Sequence, residues 1–338
     1  MSNIPVHNLG LDLVRVTEAA ALTAARWIGK GAKEAGDKAA VDAMRLSFDS
    51  MDIRGTVVIG EGEKDEAPML YNGEVVGSGK GPEMDVAVDP VEGTSLLAFG
   101  RPNAIAVVSM APKGTMFDPG PAFYMNKLVG PAETKGKLDI NASVADNLKN
   151  AAEALGKEIE DLMVFVLDKP RHQDLIREIR EAGACIQLHT DGDVAGALMA
   201  VMPGTGVDLM MGIGGTPEGV LAATAIRVLE GEMQGMLAPQ SDEEKNAVLQ
   251  AGYELDAVLP LEELIRSDDV FFAATGITGG SFLKGVDFTS RGATTCSMIV
   301  RGLTGTVRII EAEHNFKTLM KISAIDYSKS EANNPASK

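Results

Sequence analysis

Apolar residues recur at helical spacing over residues 38–51, where Ala40, Val41, Met44, Phe48 and Met51 share one face, and residues 11–28 carry a second helical pattern. "TVVIG" (56–60), "DVAVD" (85–89) and "AIAVVSMA" (104–111) read instead as strands. From about residue 145 the two periods alternate. Helices over 145–156, 172–182, 193–202 and 217–230 are interleaved with strands over 162–168, 185–188 and 207–212. "VFFAATGIT" (270–278) predicts another strand, and "TTCSMIVRG" and "GTVRIIEAE" a hairpin around Gly305. This alternation implies an α/β architecture with helices covering sheet faces.

Length adds a division to that picture. At 338 residues the chain suggests two domains of roughly 150 residues each. We expect an N-terminal unit over 1–155, a second α/β unit over 156–325 and a polar, disordered tail over 326–338. Apolar residues make up 45% and charged residues 23%, enough for a full core. No apolar run reaches the ~18 residues of a membrane span, and "MSNIPVHNLGLD" lacks the features of a secretion signal, so a cytoplasmic protein is expected. Cys185 and Cys296 lie in apolar surroundings and read as buried thiols.

Charge narrows the partners. The net charge of −17 repels nucleic acid and anionic membranes, and it repels phosphorylated metabolites unless cations sit at the site. The four histidines (7, 172, 189 and 314) show no metal-binding spacing. A metal site would therefore be built of oxygens, which suits Mg²⁺ or Mn²⁺.

Acidic residues stand at element ends. In "MDVAVDPVEGT" (84–94), Asp89 and Glu92 flank Pro90, which lacks a backbone donor and is expected to end the strand. "VVIGEGEKDEAPM" places Glu61, Glu63, Asp65 and Glu66 after another strand. Asp37 reads as the start of a helix, and Glu218 follows a glycine turn and Pro217 at a helix start. Each acid alone is ordinary capping or dipole chemistry. Gathered at one sheet edge they could not all stay ionised without cations between them. Two divalent ions about 3.5–4 Å apart would make a phosphoryl-transfer site. Helix starts at glycine turns add N–H donors for phosphate oxygens. No GxxxxGK[ST] motif is present, and "GIGGTPEG" has Pro217 where a dinucleotide fingerprint needs glycine.

Taken together, "RVTEAAAL", "VVIGEGEKDEAPMLY", "VAVDPVEGT", "KPRH", "DGDVA", "GIGGTPEGV" and "ATGIT" occur in an order that resembles the class II fructose-1,6-bisphosphatases. These belong to the lithium-sensitive phosphatase superfamily, with the inositol monophosphatases. The resemblance implies a layered α/β/α/β/α sandwich and a homo-oligomer. It implies metal ligands at Asp37, Glu61, Asp89, Glu92 and Glu218. It places substrate contacts at Glu92, Gly93, Thr94, Tyr124, Lys169, Pro170, Arg171, Asp191, Gly192, Asp193 and Gly215. Thr94 would position or deprotonate the attacking water, with Glu61 or Asp37 as its acidic partner.

The residue chemistry agrees with those roles. Lys169 and Arg171 follow a strand, with Pro170 fixing the turn, and an arginine can grip phosphate with paired, charge-assisted bonds. Asp191 and Asp193 could accept hydroxyl hydrogen bonds, although Asp193 alone reads as a helix cap. Tyr124 offers a ring face and a hydroxyl. Gly36 stands before Asp37 where the family often has threonine, and the segment between Glu218 and "FAATGIT" is shorter than in some members. The expected activity is Mg²⁺- or Mn²⁺-dependent release of the carbon 1 phosphate of fructose 1,6-bisphosphate. Sedoheptulose 1,7-bisphosphate, an inositol or nucleotide monophosphate, or non-catalytic phosphate binding are the alternatives. Five converging carboxylates argue against a pure anion binder.

Overall fold

The computed structural model describes residues 9–62, 69–321, 323 and 325–327. His7, the acids Glu63, Asp65 and Glu66, and the tail from residue 328 lie outside the described residues.

The strands are β1 (Arg54–Ile59), β2 (Val75–Val76), β3 (Glu83–Glu92), β4 (Ile105–Pro112), β5 (Tyr124–Gly130), β6 (Met163–Leu167) and β7 (Cys185–His189). They continue with β8 (Leu209–Gly215), β9 (Glu232–Leu237), β10 (Leu259–Pro260), β11 (Phe271–Gly276), β12 (Asp287–Phe288), β13 (Gly292–Arg301) and β14 (Thr306–Asn315). Two sheets result. One has the order β12-β13-β11-β4-β3-β1-β2, with β14 also paired to β13; the other has the order β10-β9-β5-β8-β6-β7. The chain builds part of the first sheet, then all of the second, and returns to the first with β11. The hairpin expected around Gly305 is the antiparallel β13–β14 pair.

Helices fill three layers. Outside the first sheet lie α1 (Gly10–Ala24) and α2 (Lys33–Phe48), where Leu13, Met44 and Phe48 pack on Val86, Val108 and Met110. The short α3 (Thr94–Phe99) follows β3. Outside the second sheet lie α4 (Val144–Leu155) and α5 (Gln173–Glu181), with Leu148, Ile176 and Ile179 against Val164, Val166 and Leu209. Between the sheets run α6 (Asp193–Val201) and α7 (Thr216–Val228). Every residue of α6 is buried, and Leu198 and Ile226 share one core with Val107 and Phe272 of the first sheet and Met125 and Phe165 of the second. An apolar sequence on all sides is what a helix covered by two sheets requires. The result is the α/β/α/β/α sandwich. Among the described residues no helix is long and apolar enough to cross a membrane.

Local details differ from the sequence reading, each for a physical reason. The second helix begins at Lys33, so Asp37 lies one turn inside it rather than at its cap. Gly36 sits within the helix, where Leu97 and Trp27 press so closely that a Cβ would come within 2.7 Å of Leu97. Pro90 does not end β3. The strand continues to Glu92 through a register shift between Asp89 and Glu92 against β4. A bulge absorbs the missing ladder donor, and the Val91 N–H donates instead to Asp89 Oδ1 at 3.0 Å. Cys185 is exposed, unlike the buried Cys296, because β7 is the edge strand of its sheet.

Candidate active site

The parallel strands β1 and β3 end at the same edge of the first sheet. Glu61 leaves the end of β1, while the bulge in β3 presents Asp89 and Glu92. Gly93, in the left-handed conformation at φ 86°, turns the chain into α3, whose first residue is Thr94. From the second sheet, β6 leads to Lys169 and Arg171, and β8 leads through Gly215 to Glu218 in the first turn of α7. These ends face one cavity of about 800 Å³. Its walls carry Asp37, Glu61, Asp89, Glu92, Gly93, Thr94, Tyr124, Lys169, Arg171, Asp191, Asp193, Gly215 and Glu218. Of the residues picked out from the sequence, Pro170 and Gly192 do not line it; they cap and shape the turns that do.

Glycines make room for the acids. A Cβ on Gly214 would overlap Asp193 Oδ2, and one on Gly215 would overlap Glu218 Oε2. The "GIGG" run is thus a cradle for two carboxylates, a role that its reading as a phosphate turn did not contain.

The carboxylates resist ionisation together. Burial, then Asp37 and Glu218, push Glu61 up to about 8. Asp89 stands well above the usual carboxylate range through burial and then Glu92; Glu92 does so through burial and then Asp193 and Asp191. Burial also raises Asp37, against the pull of Lys33. Glu92 Oε1 accepts the Val194 N–H at 3.2 Å, but Glu92 Oε2 and Glu218 Oε2 are buried without a hydrogen-bond donor among the described residues. Such orphaned oxygens among mutually repelling acids fit divalent cations. Among the described residues no three His, Cys, Asp or Glu side chains close around a single point as placed; the acids ring the cavity.

Burial, reinforced by this repulsion, predicts a pH dependence in chelator. An acid whose folded-state pKa lies above its unfolded value holds more protons folded than unfolded in between, so stability falls as pH rises across that interval. For Glu61 the interval runs from 4.5 to about 8. The metal-free protein should lose Tm between about pH 4.5 and about pH 8, Glu61→Gln should flatten the slope, and Mn²⁺ at the upper pH should restore the loss. A level or rising Tm in metal-free wild type would contradict the raised pKa values of these acids.

Opposite the acids, Arg171 is held rigidly. Its Nε and Nη2 donate to the Ile213 carbonyl at 3.1 and 2.8 Å, and its guanidinium lies 5.0 Å from the centre of the Tyr124 ring. The buried His172 pins the turn. Its Nε2 accepts the Ile213 N–H at 2.7 Å, so the ring is neutral, and Nδ1 donates to the Leu167 carbonyl at 2.6 Å. Burial lowers its pKa in keeping with that. The backbone N–H groups of Phe123 and Tyr124 donate to the buried Glu244 carboxylate at 2.8 and 3.1 Å, which holds the backbone that carries Tyr124.

Asp193 does not cap α6; Gly192 occupies that position. Its carboxylate pairs instead with Lys127 Nζ at 2.6 Å, both side chains almost fully buried. Lys127 was not picked out from the sequence. Its one signal there is a lone lysine inside the strand "YMNKLVG", which reads equally as an edge charge. Lys33 and Glu34, also on the cavity wall, were missed because α2 begins earlier than its apolar stripe suggests.

The family model for "Bacterial fructose-1,6-bisphosphatase, glpX-encoded" matches residues 7–314. Two curated relatives are fructose-1,6-bisphosphatase 1 class 2 of Escherichia coli and fructose-1,6-bisphosphatase class 2 of Shigella flexneri. Each is 44% identical over 321 residues, covering 91% of this chain and 95% of the relative.

Proposed function

This chain belongs to the bacterial glpX-encoded fructose-1,6-bisphosphatases, and from that premise we propose how its acidic cavity removes the carbon 1 phosphate of fructose 1,6-bisphosphate. The products are fructose 6-phosphate and inorganic phosphate, a step of gluconeogenesis. One observation carries the assignment of roles: five carboxylates and the Lys169–Arg171 turn line the same cavity.

Enzymes of this family depend on a metal. Asp37, Glu61, Asp89, Glu92 and Glu218 would hold it, and an all-oxygen donor set suits Mn²⁺ or Mg²⁺. When bound, such ions neutralise the phosphate, lower the pKa of water and stabilise the leaving alkoxide. The Thr94 hydroxyl holds the attacking water, and Glu61 or Asp37 takes its proton. Asp191 and Asp193 accept hydrogen bonds from sugar hydroxyls, with Lys127 fixing Asp193. The backbone at Gly93 on the cavity wall lets the substrate approach closely, while Gly192 shapes the turn that presents Asp191 and Asp193, and Gly215 leaves room for Glu218. Lys169, Arg171 and Tyr124 anchor the second phosphate and the chain that carries it. An assembly of several copies of this chain is part of the same reading.

Arg171→Ala tests the anchor. Charge-assisted hydrogen bonds contribute about 1.5–3 kcal/mol each, so losing one should raise KM for fructose 1,6-bisphosphate about 10- to 150-fold. A sugar monophosphate has nothing to anchor and should lose much less. Equal losses on both substrates would put Arg171 at the scissile phosphate.

A further inference from the structure

A second cavity has the opposite chemistry. It measures about 500 Å³ and is lined by Arg26, Phe288, Arg291, Phe316 and Lys317 among others, and among the described residues no lining residue is acidic. On a chain carrying 48 acids against 31 basic residues, that composition is unexpected. None of these residues lines the carboxylate cavity.

Arg291 and Lys317 are exposed, and neither forms an ion pair among the described residues. Arg26 is fixed in place behind them. Its Nε and Nη2 donate to the Tyr327 carbonyl at 3.1 and 2.8 Å, and its guanidinium lies 3.9 Å from the centre of the Phe288 ring. Asp326 attracts Arg26, but lies outside the cavity lining. The loop that carries Arg291 is held as well: Thr289 Oγ1 accepts the N–H groups of Arg291 and Gly292 at 3.3 and 3.1 Å. Phe288 and Phe316 meet edge to face, 6.4 Å between centres, and give the cavity an apolar wall.

We propose that this cavity binds a small organic phosphate. The field of the whole chain repels anions, so an anion can settle only where local cations outweigh it. Arg291 can grip a phosphate through two parallel N–H groups, and Lys317 adds a point charge. The two phenylalanine rings accommodate the carbon part of the ligand, which separates an organic phosphate from the inorganic ion.

Titration calorimetry on the full chain tests this, with 3-phosphoglycerate and inorganic phosphate as probes. A chelator strips divalent metal, so that the carboxylate cavity repels both probes. We expect 3-phosphoglycerate to bind wild type more tightly than inorganic phosphate does. The double variant Arg291→Glu, Lys317→Glu should bind it at least about tenfold more weakly, with Tm and basal turnover unchanged. Equal binding by wild type and double variant would overturn the proposal, as would no binding below about 10 mM. Equal affinity for the two probes would overturn the organic part of it.

Discussion

Glu218→Gln should abolish turnover while leaving the metal-free protein at least as stable as wild type. The carboxylate lies folded over Gly215, and its Oε2 is buried without a donor among the described residues. Burial raises its pKa first, and Asp193 raises it further, with Lys127 opposing. A negative charge so placed is a liability to the empty protein, and a glutamine of the same shape removes it. The same charge is what a divalent cation needs. Losing one carboxylate from a phosphoryl-transfer metal site takes away several kcal/mol of transition-state stabilisation, a loss of about 10³-fold or more in kcat. Thermal denaturation in chelator and a phosphate-release assay in Mn²⁺ read the two halves separately. A stable variant with near-normal activity in excess Mn²⁺ would show that Glu218 is not a ligand.

Thr94→Val should lower kcat by about 10²–10⁴-fold and leave KM little changed, the range expected when proton-transfer assistance is lost. Thr94 opens α3 directly after Glu92 and Gly93, half-buried on the cavity wall, and its hydroxyl has no hydrogen-bond partner among the described residues. Valine keeps the branched shape, so packing and the helix start should survive. An effect confined to kcat means that the hydroxyl acts only in the transition state. A rise in KM at constant kcat would make it a ground-state contact with the substrate.

The acids at strand ends were legible because their signal is local. A strand, a turn residue and a helix start within eleven residues are enough to place Asp89, Glu92 and Thr94 at one edge. The glycine turn does the same for Glu218. What distance along the chain conceals is pairing. Lys127 meets Asp193 across 66 residues, and no periodicity in either segment announces the contact. The bulge at Pro90 escaped because proline predicts a missing ladder donor but not whether the strand stops or bends around it. Asp37 was placed at a helix start because the apolar stripe beginning at Ala40 does not show that α2 opens earlier, at Lys33. Cys185 looked buried because an apolar strand does not say whether it lies inside a sheet or at its edge.

The glycine cradle changes how a mutational scan of this protein should be interpreted. Position 215 is one that the family resemblance assigns to substrate contact, so inactivity of an alanine there would ordinarily be scored as a lost contact. Here the added methyl group would instead displace the Glu218 carboxylate, and at position 214 the Asp193 carboxylate beside Lys127. Tolerance at these two sites therefore reports on the space each acid occupies. A second substitution that shortens the acid, rather than one that alters the sugar pocket, is the change able to compensate.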